Sequence, residues 1–581
     1  MDVLTGVGLA LTATYGLRRA AIRLRLSRAK HPSLRGHAKM ARRLARLVPF
    51  YEYGDDEFFC CDDAPEDVVA RRREAFARVG ARLRERAPKT LRASASLERG
   101  LSDARFVSHY RVPFQFRNRV RAELPLGTVA SATDGPYVSD LDGNWCLDVT
   151  GSYGVNLFGY DFYKRCIDRG AERAQLLGPV LGAYHPVVAD NVARLQLISG
   201  MDEVSFHMSG TEAVMQAVRL ARYHTGRSHV VRFCGAYHGW WDGVQAGVGN
   251  PRPAHEVYTL ADMSTRALEV LRTRRDIACV LVNPLQALHP NGNAPSDSML
   301  VTGERRAGYD KAAYTAWLEA LRDVCTQRGI ALIFDEVFLG FRLAPGGAQQ
   351  YFGVRADLVT YGKTLGGGLP IGVVCGRAEW MRRFQDDRPT DICFARGTFN
   401  SHPYVMTTMN EFLQRLEDPA VGSTYHRIDA RWDARADRLN QRLESQGLPV
   451  RFANMTSVFT TEFTAPSRYA WMLQYYLRLE NVAVSWIGTG RFIFTHTMTD
   501  ERFEDFSSAF ERACLAMRED GFFWTSPTLT AAAIKKRVTR EMLGAVFGKR
   551  RLAAPAVPAD PALQPAAAPP SRAEDPRETV A

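Results

Sequence analysis

The chain has 581 residues, 46% of them apolar, and a formal charge of +12. That length suits one enzyme subunit of two or three domains with a sizeable core. The positive excess sits largely at one end, where eleven Lys and Arg in residues 1–50 face a single acid, Asp2, so the charge does not point to a nucleic-acid partner.

The ten cysteines show no C-x-x-C spacing, which argues against a zinc site or a disulfide framework and suits a reducing compartment. No run of about 18 apolar residues occurs, so no spanning helix is expected. Residues 3–17 are moderately apolar, but their positive charges follow them; a secretory signal carries its charges in front. The expected location is cytoplasmic.

In chain order, residues 1–50 read as helical and basic. Arg18, Arg19, Arg23, Arg25 and Arg28 interleave with Leu17, Ile22, Leu24 and Leu26. Three readings fit: a solvated helix on the body, a peripheral helix on an anionic membrane face, or a dock for an acidic carrier protein. Residues 62–86 carry a helical stripe of Val68, Val69, Phe76, Val79 and Leu83, with Pro88 as its stop. Residues 90–120 read as a polar, arginine-rich arm.

From Ala132 the texture changes. Two short strands flank a turn at Asp142-Gly143-Asn144, and the glycine-rich T-G-S-Y-G-V-N-L-F-G-Y follows. Residues 187–198 fit a helix and 203–208 a strand. That strand runs into Ser209-Gly210-Thr211-Glu212-Ala213 and a strong helix. A strand, an S-G-T turn and a helix start can form an anion site, because unpaired N–H groups and the helix dipole face the turn. The same residues also read as an ordinary N-cap. H-V-V-R-F is a strand before Tyr237-His238-Gly239; the tyrosine can stack on a cofactor ring or serve as plain core. Residues 277–282 are another buried strand, closed by Asn283-Pro284.

The stretch 329–377 carries the strongest signal. Residues 330–334 form a buried strand closed by Asp335, and residues 357–361 form a second one, closed by Gly362-Lys363. Ligands of open α/β sheets sit outside the carboxyl ends of the strands. An acid and an amine there suit pyridoxal phosphate, which needs a lysine for its Schiff base and an acid beside its ring nitrogen. Lysine is scarce: between Arg92 and Ile534 only Lys164, Lys311 and Lys363 occur, and arginine cannot replace a Schiff-base lysine. Lys164 and Lys311 fall in helix patterns. The bland alternative for Lys363 is a surface lysine in a loop.

Arg396-Gly397-Thr398-Phe399-Asn400 forms a loop before a helix from Pro403, and short strands with helices follow from Pro449. Residues 531–547 read as a basic amphipathic helix, and the Ala/Pro-rich end as disordered. The expected divisions are a basic helical extension (1–110), the N-terminal part of a small domain (111–160), a large cofactor-binding domain (161–410), the C-terminal part of the small domain (411–530), a basic helix (531–551) and a disordered tail (552–581). Alternating strands and helices predict an α/β fold with a large, mainly parallel sheet and a smaller α+β domain.

D-G-x-Y with D-x-D-G-N, S-G-T-E-A, Y-H-G, D-E-V-x-x-G-F-R, G-K-x-x-G-G-G-L-P-x-G, G-T-F and a late T-H-T occur in this order. Together they resemble the class III, fold-type I pyridoxal-phosphate aminotransferases, most of all the glutamate-1-semialdehyde 2,1-aminomutase-like branch. The resemblance covers about residues 135–500. It implies Lys363 as Schiff-base lysine and proton carrier, Asp335 at the pyridinium nitrogen, and Val337 and Tyr237 on the two ring faces. It gives the phosphate to Ser209, Gly210 and Thr211, places His238 in the cofactor site, and has Thr398 reach the phosphate of a neighbouring subunit in a homodimer. No metal is implied. Asn283-Pro284 replaces a common Glu-Pro, Gly159-Tyr160-Asp161-Phe162 replaces a Gly-His-x-His element, and Phe338 is bulkier than usual.

The expected activity is therefore transfer of an amino group between an amino donor and an aldehyde or ketone, each free or carrier-bound. The alternatives are an intramolecular aminomutase, which needs no separate donor, and a non-catalytic scaffold, which would need neither Lys363 nor Asp335.

Overall fold

The computed structural model describes residues 3–32, 36–245, 247–252, 255–289, 291, 308–485 and 491–548, with side chains from residue 11 onward. The expected tail, 552–581, lies outside the described residues. At the centre stands a seven-stranded sheet. Its strands, in spatial order, are Glu203–His207, Gly372–Gly376, Leu358–Gly362, Ala331–Asp335, Ile277–Val282, His229–Phe233 and Val257–Leu260. Only Gly372–Gly376 runs against its neighbours; the other paired neighbours are parallel.

The central strands are buried at every position, as expected when helices cover both faces. Alternation sorts their side chains. Cys279, Leu281, Ala331, Ile333 and Leu358 face the helix Gly210–Thr225 through its Ala213, Val214, Ala217 and Ala221. Val280, Val282, Leu332, Phe334 and Val359 join the larger core with Leu318 and Leu321 of the helix Lys311–Arg328 and Met406 and Met409 of Pro403–Arg415.

Besides the two-stranded pair Phe384–Gln385 and Arg388–Ile392, two smaller sheets are present among the described residues. Ala132–Asp134, Tyr137–Ser139 and Trp145–Asp148 make three strands where two were expected, and Val482–Ala483 adds to the last in parallel. Val450–Met455, Val458–Phe463 and Phe492–Ile493 form the other.

The N-terminal segment differs from expectation in two ways. Pro88 does not merely stop a helix: Glu66–Arg86 ends before it, and Pro88–Gly100 begins on it. The fixed φ and missing N–H of proline suit a first helical turn. The expected arm over 90–120 is largely helical, continuing through Ser102–His109 and Arg117–Glu123.

These helices share one core with the small sheets. Tyr51, Phe58, Phe76, Val79 and Phe116 cluster with Trp432, Phe459, Trp471 and Phe506. In the expected stripe of Glu66–Arg86, Val68, Phe76, Val79 and Leu83 are buried and Val69 is half-buried. Arg72 lies in that stripe too, fully buried. Its guanidinium bonds both oxygens of Asp62 at 2.8 Å, and its Nε donates to the Gly521 carbonyl at 2.8 Å. The helix Ala531–Val546 closes the same region, burying Ile534 and Ala545 and bringing Glu541 to the Tyr53 hydroxyl at 2.6 Å. Among the described residues no helix is long and apolar enough to cross a membrane.

Breaking a buried, doubly bonded pair strands the partner charge, which costs about 3–5 kcal/mol. Arg72→Ala is expected to lower unfolding stability by that order. Urea titration checks this, and a change under about 1 kcal/mol would contradict a sealed pair.

Candidate active site

The strand Ala331–Asp335 ends on a carboxylate that is 3% exposed. Parallel pairing sets Asp335 opposite Thr360 of the next strand. Its Oδ1 accepts from the Thr360 hydroxyl at 3.3 Å and from the Val337 N–H at 3.2 Å. Its Oδ2 meets Nδ1 of His238 at 2.8 Å. A carboxylate only accepts, so Nδ1 carries the proton in this pair. Burial pushes the His238 pKa down although Asp335 opposes it, which keeps the ring neutral. Among the described residues its buried Nε2 has no partner.

Two residues past Tyr361, the chain turns sharply. Lys363 takes φ +48° at the start of a short 3-10 turn. Its amine donates to the Tyr153 carbonyl at 2.6 Å and lies 4.7 Å from the centre of the Phe338 ring. Burial lowers its pKa to about 8; Asp335 opposes that shift, and Arg491 and Arg342 reinforce it.

The partner loop is strained. Ser152 and Tyr153, at φ +45° and +57°, follow Gly151 and precede Gly154, both also at positive φ. Non-glycine residues in this region cost of order 1–3 kcal/mol and persist where surroundings over-determine them. Here they are pinned on both sides: Ser152 by the Asp148 carboxylate and the Tyr160 hydroxyl, and Gly154 by Phe338, whose ring a Cβ would meet at 2.5 Å.

The third wall is the turn into Gly210–Thr225. Ser209 is its N-cap: the hydroxyl accepts from the Glu212 N–H at 3.2 Å, and the Glu212 carboxylate accepts from the Met208 N–H at 2.9 Å. The Ser209 cap is the N-cap anticipated as the plain alternative. It does not use up the helix start. The first N–H groups of a helix lack internal partners, and those of Gly210 and Thr211 remain at the cavity wall. The approach is close: a Cβ on Gly210 would lie 2.5 Å from Val337.

Ser209, Gly210, Thr211, Tyr237, His238, Asp335, Val337 and Lys363 thus line one cavity of about 500 Å³. Tyr237 stands at its rim, 62% exposed, with its carbonyl held by the Asn283 side chain at 3.2 Å. Thr398 is not brought into this lining. It lies on an exposed loop beside Phe394 and Phe399.

Sequence reasoning gave no role to two arginines, Arg491 and Arg342, although Arg342 closes the D-E-V-x-x-G-F-R motif. Arg491 precedes the strand Phe492–Ile493, with a terminal nitrogen 3.2 Å from Nε2 of His289 and a buried Nε without a partner. Arg342 is 1% exposed and donates to Ser457 Oγ and the Phe494 carbonyl, both at 2.9 Å. Burial lowers each to about 10. Neither has a carboxylate at ion-pair distance among the described residues. The available signal was a lone basic residue opening the apolar run R-F-I-F.

The Aminotransferase class-III family matches residues 120–514. A glutamate-1-semialdehyde 2,1-aminomutase of Desulfotalea psychrophila is 33% identical over 374 residues, which span 61% of this chain and 81% of that protein. A β-phenylalanine aminotransferase from Variovorax paradoxus has a similar fold, with TM-score 0.60 and 24% identity over 77% of this chain and 98% of its own. A glutamate-1-semialdehyde-aminomutase from Pseudomonas aeruginosa gives TM-score 0.62 at 18% identity, covering 77% of this chain and 99% of its own. The large sheet and its helices therefore have the expected fold-type I architecture.

A lysine with a lowered pKa is neutral, and reactive, at lower pH than usual. In cofactor-free protein, acetylation of Lys363 by brief acetic anhydride pulses should rise with pH and level off above about 8. Asp335→Asn removes the charge that favours the ammonium, so the midpoint should move down. Peptide mass spectrometry reads both, and a Lys363 midpoint near 10.5 would contradict the burial argument.

Proposed function

This chain belongs to the class-III aminotransferase family, and on that premise we propose that it moves an amino group from an amino donor to an aldehyde or ketone acceptor. It is a pyridoxal-phosphate enzyme. The observation that carries the reading is the buried Asp335 carboxylate and the Lys363 amine, lowered to about 8, at neighbouring strand ends of one cavity.

The residues present fit the cofactor. A helix start with free N–H groups suits its phosphate, Asp335 suits a protonated ring nitrogen, and the cavity contains an amine poised to lose its proton. When bound, pyridoxal phosphate supplies a carbonyl that condenses with amines and a ring that accepts electrons from substrate Cα. In this reading Gly210 and Thr211 hold the phosphate through N–H groups, with Ser209 fixing the turn by its cap. Tyr237 and Val337 enclose the ring. Asp335 keeps the ring nitrogen protonated, held in place by His238, Thr360 and the Val337 N–H. Lys363 Nζ removes the proton from substrate Cα, a role its lowered pKa favours near neutrality. Arg491 is the cation proposed for a substrate carboxylate: it is half-buried beside the cavity, its charge lowers the Lys363 pKa, and it has no carboxylate of its own among the described residues.

The second reading is intramolecular amino-group transfer, favoured by the 33% likeness to an aminomutase. Phe338 weighs towards the first reading, because its ring fills the space between Gly154 and Lys363. A scaffold without chemistry leaves the lowered pKa of Lys363 without purpose.

Thr398 fits a role across a homodimer, reaching the neighbour's phosphate. Phe384, Ile392, Phe394 and Phe399 are each more than half exposed around it, a patch that suits burial in an interface. Residues 1–50 fit a contact with an anionic surface outside the reaction.

Two outcomes are expected. With an amino donor and a carbonyl acceptor both supplied, purified enzyme should turn over and show the cofactor's visible absorbance shift on donor alone. Lys363→Ala should abolish turnover, and Arg491→Met should raise KM for carboxylate substrates far more than it lowers kcat. Donor-independent isomerisation of an amino aldehyde would favour the mutase instead. By sedimentation the active species should be a dimer that Phe394→Asp with Phe399→Asp splits, with loss of bound cofactor; an active monomer would contradict the role given to Thr398.

A further inference from the structure

The Lys363 amine donates to a backbone oxygen, the Tyr153 carbonyl, at 2.6 Å. A carbonyl points where its peptide plane points. That plane joins Tyr153 to Gly154, at φ +57° and +97°, and the Tyr153 side chain is exposed. The aim of the oxygen is therefore set from the two flanks. On the Gly154 side, the Phe338 ring leaves no room for a Cβ. On the other side stands Ser152.

Ser152 ends a chain of side-chain bonds that begins outside the cofactor cavity. Tyr160, from the Gly159-Tyr160-Asp161-Phe162 element, opens the helix Tyr160–Ala174. Its hydroxyl lies 2.6 Å from Asp148 Oδ2 and 2.6 Å from Ser152 Oγ. A carboxylate only accepts, so the phenol proton goes to Asp148 and the Ser152 hydroxyl donates to the phenol oxygen. Burial and the Asp148 charge push the Tyr160 pKa up, which keeps that proton in place. Asp148 is itself buried, and its Oδ1 accepts from the Thr150 N–H at 2.8 Å. The Ser152 N–H is shared between Asp148 Oδ2 at 3.3 Å and Thr150 Oγ1 at 3.1 Å. Ser152 is thus held by both its hydroxyl and its N–H, one residue before the carbonyl. Left-handed non-glycine residues persist where surroundings over-determine them, and this chain of bonds is that surrounding.

A neutral amine has two N–H bonds and one lone pair. Giving one N–H to a fixed oxygen turns the lone pair away from that oxygen. We propose that Tyr160 is a positioning residue for proton transfer at Lys363: anchored on Asp148, it acts through Ser152 and the Tyr153 carbonyl to aim the amine lone pair at substrate Cα. Asp335, Arg342 and Arg491 act on the charge of the amine; the Tyr160 chain acts on its direction. This inference rests on Lys363 as the base that removes the Cα proton.

The test uses Tyr160→Phe, Ser152→Ala and the double variant of the full chain. Neither residue lines the cofactor cavity. In cofactor-free protein, acetic anhydride pulses read the Lys363 midpoint, about 8 in the wild type. An ammonium is a stronger donor to a fixed carbonyl than an amine is, so loosening the carbonyl should lower the midpoint by about half a unit. The double variant should fall no further than the singles, because the two residues act in one chain. General loosening would wet the amine and raise the midpoint towards 10.5; a rise, or no change, would overturn the proposal. In the cofactor-loaded enzyme with donor and acceptor supplied, Tyr160→Phe should lower kcat about tenfold to a hundredfold, with KM and cofactor absorbance as in the wild type. A donor deuterated at Cα should slow that variant further. An unchanged kcat would overturn the positioning role. A wild-type enzyme that moves no amino group would count against the base role of Lys363 instead, and the acetylation midpoints would still decide whether Tyr160 holds the Tyr153 carbonyl.

Discussion

The structure turns on the opposition between burial and charge at the Lys363 amine. Burial drives the amine towards neutrality, and the Asp335 carboxylate pulls it back. Neither effect could operate without the sheet. Parallel pairing of Ala331–Asp335 with Leu358–Gly362 brings both strand ends to one edge, and helices on both faces exclude water from the strands behind them. The left-handed backbone at Lys363 then turns its side chain across the cavity to Tyr153. A residue one place earlier or later would start from another direction.

The rest of the chain supports that contact in tiers. Tyr153 is held by a strained loop, and that loop is held by Asp148 at the end of a small-sheet strand. The strand pairs with Val482–Ala483, and the small sheets share their core with Phe58, Phe76 and Phe116 from the N-terminal helices. Helices that precede the family match at residue 120 thus belong to the platform on which the loop rests. The sealed Arg72–Asp62 pair has the same consequence: it ties Glu66–Arg86 to the Gly521 carbonyl at the far end of the chain. Stiffness here comes from contacts between segments hundreds of residues apart.

How much of this was legible follows from how local each cause is. The buried strands were readable because apolar runs of five or six residues closed by glycine or an acid declare themselves. Asp335 and Lys363 were readable because strand ends are where such residues stand out, and because lysine is rare in this chain. The Ser209 turn was ambiguous in sequence: the structure shows its hydroxyl capping the helix and Gly210 and Thr211 lining the cavity, and the phosphate role stays a proposal. Pro88 follows the end of Glu66–Arg86 as expected, but the helix that begins on it was not foreseen, because proline both ends and starts helices and only the neighbouring chain decides whether another follows. Thr398 had a readable motif, but nothing local tells whether it faces its own cavity, and it does not. Arg342 stood at the end of the quoted D-E-V-x-x-G-F-R motif without a role, and Arg491 was hidden among many arginines. What sets them apart is the lack of a carboxylate partner among the described residues, which no single-sequence pattern carries.

Those two arginines bear on the chemistry more than their number suggests. Removing an ion from water costs several kcal/mol after relaxation, and a fold normally recovers this with a counter-ion. Arg72 has Asp62 and Arg468 has Glu541, so this chain readily builds such pairs elsewhere. Around Lys363 it does not: Arg342 and Arg491 both lower the amine's pKa, and only Asp335 opposes them. Burial remains the largest cause of the lowered amine pKa; Asp335 opposes it and the two arginines add to it, so charge and desolvation act on the same atom. An anionic ligand would in turn raise the amine's proton affinity, so ligand charge and Lys363 protonation are linked by the same two cations.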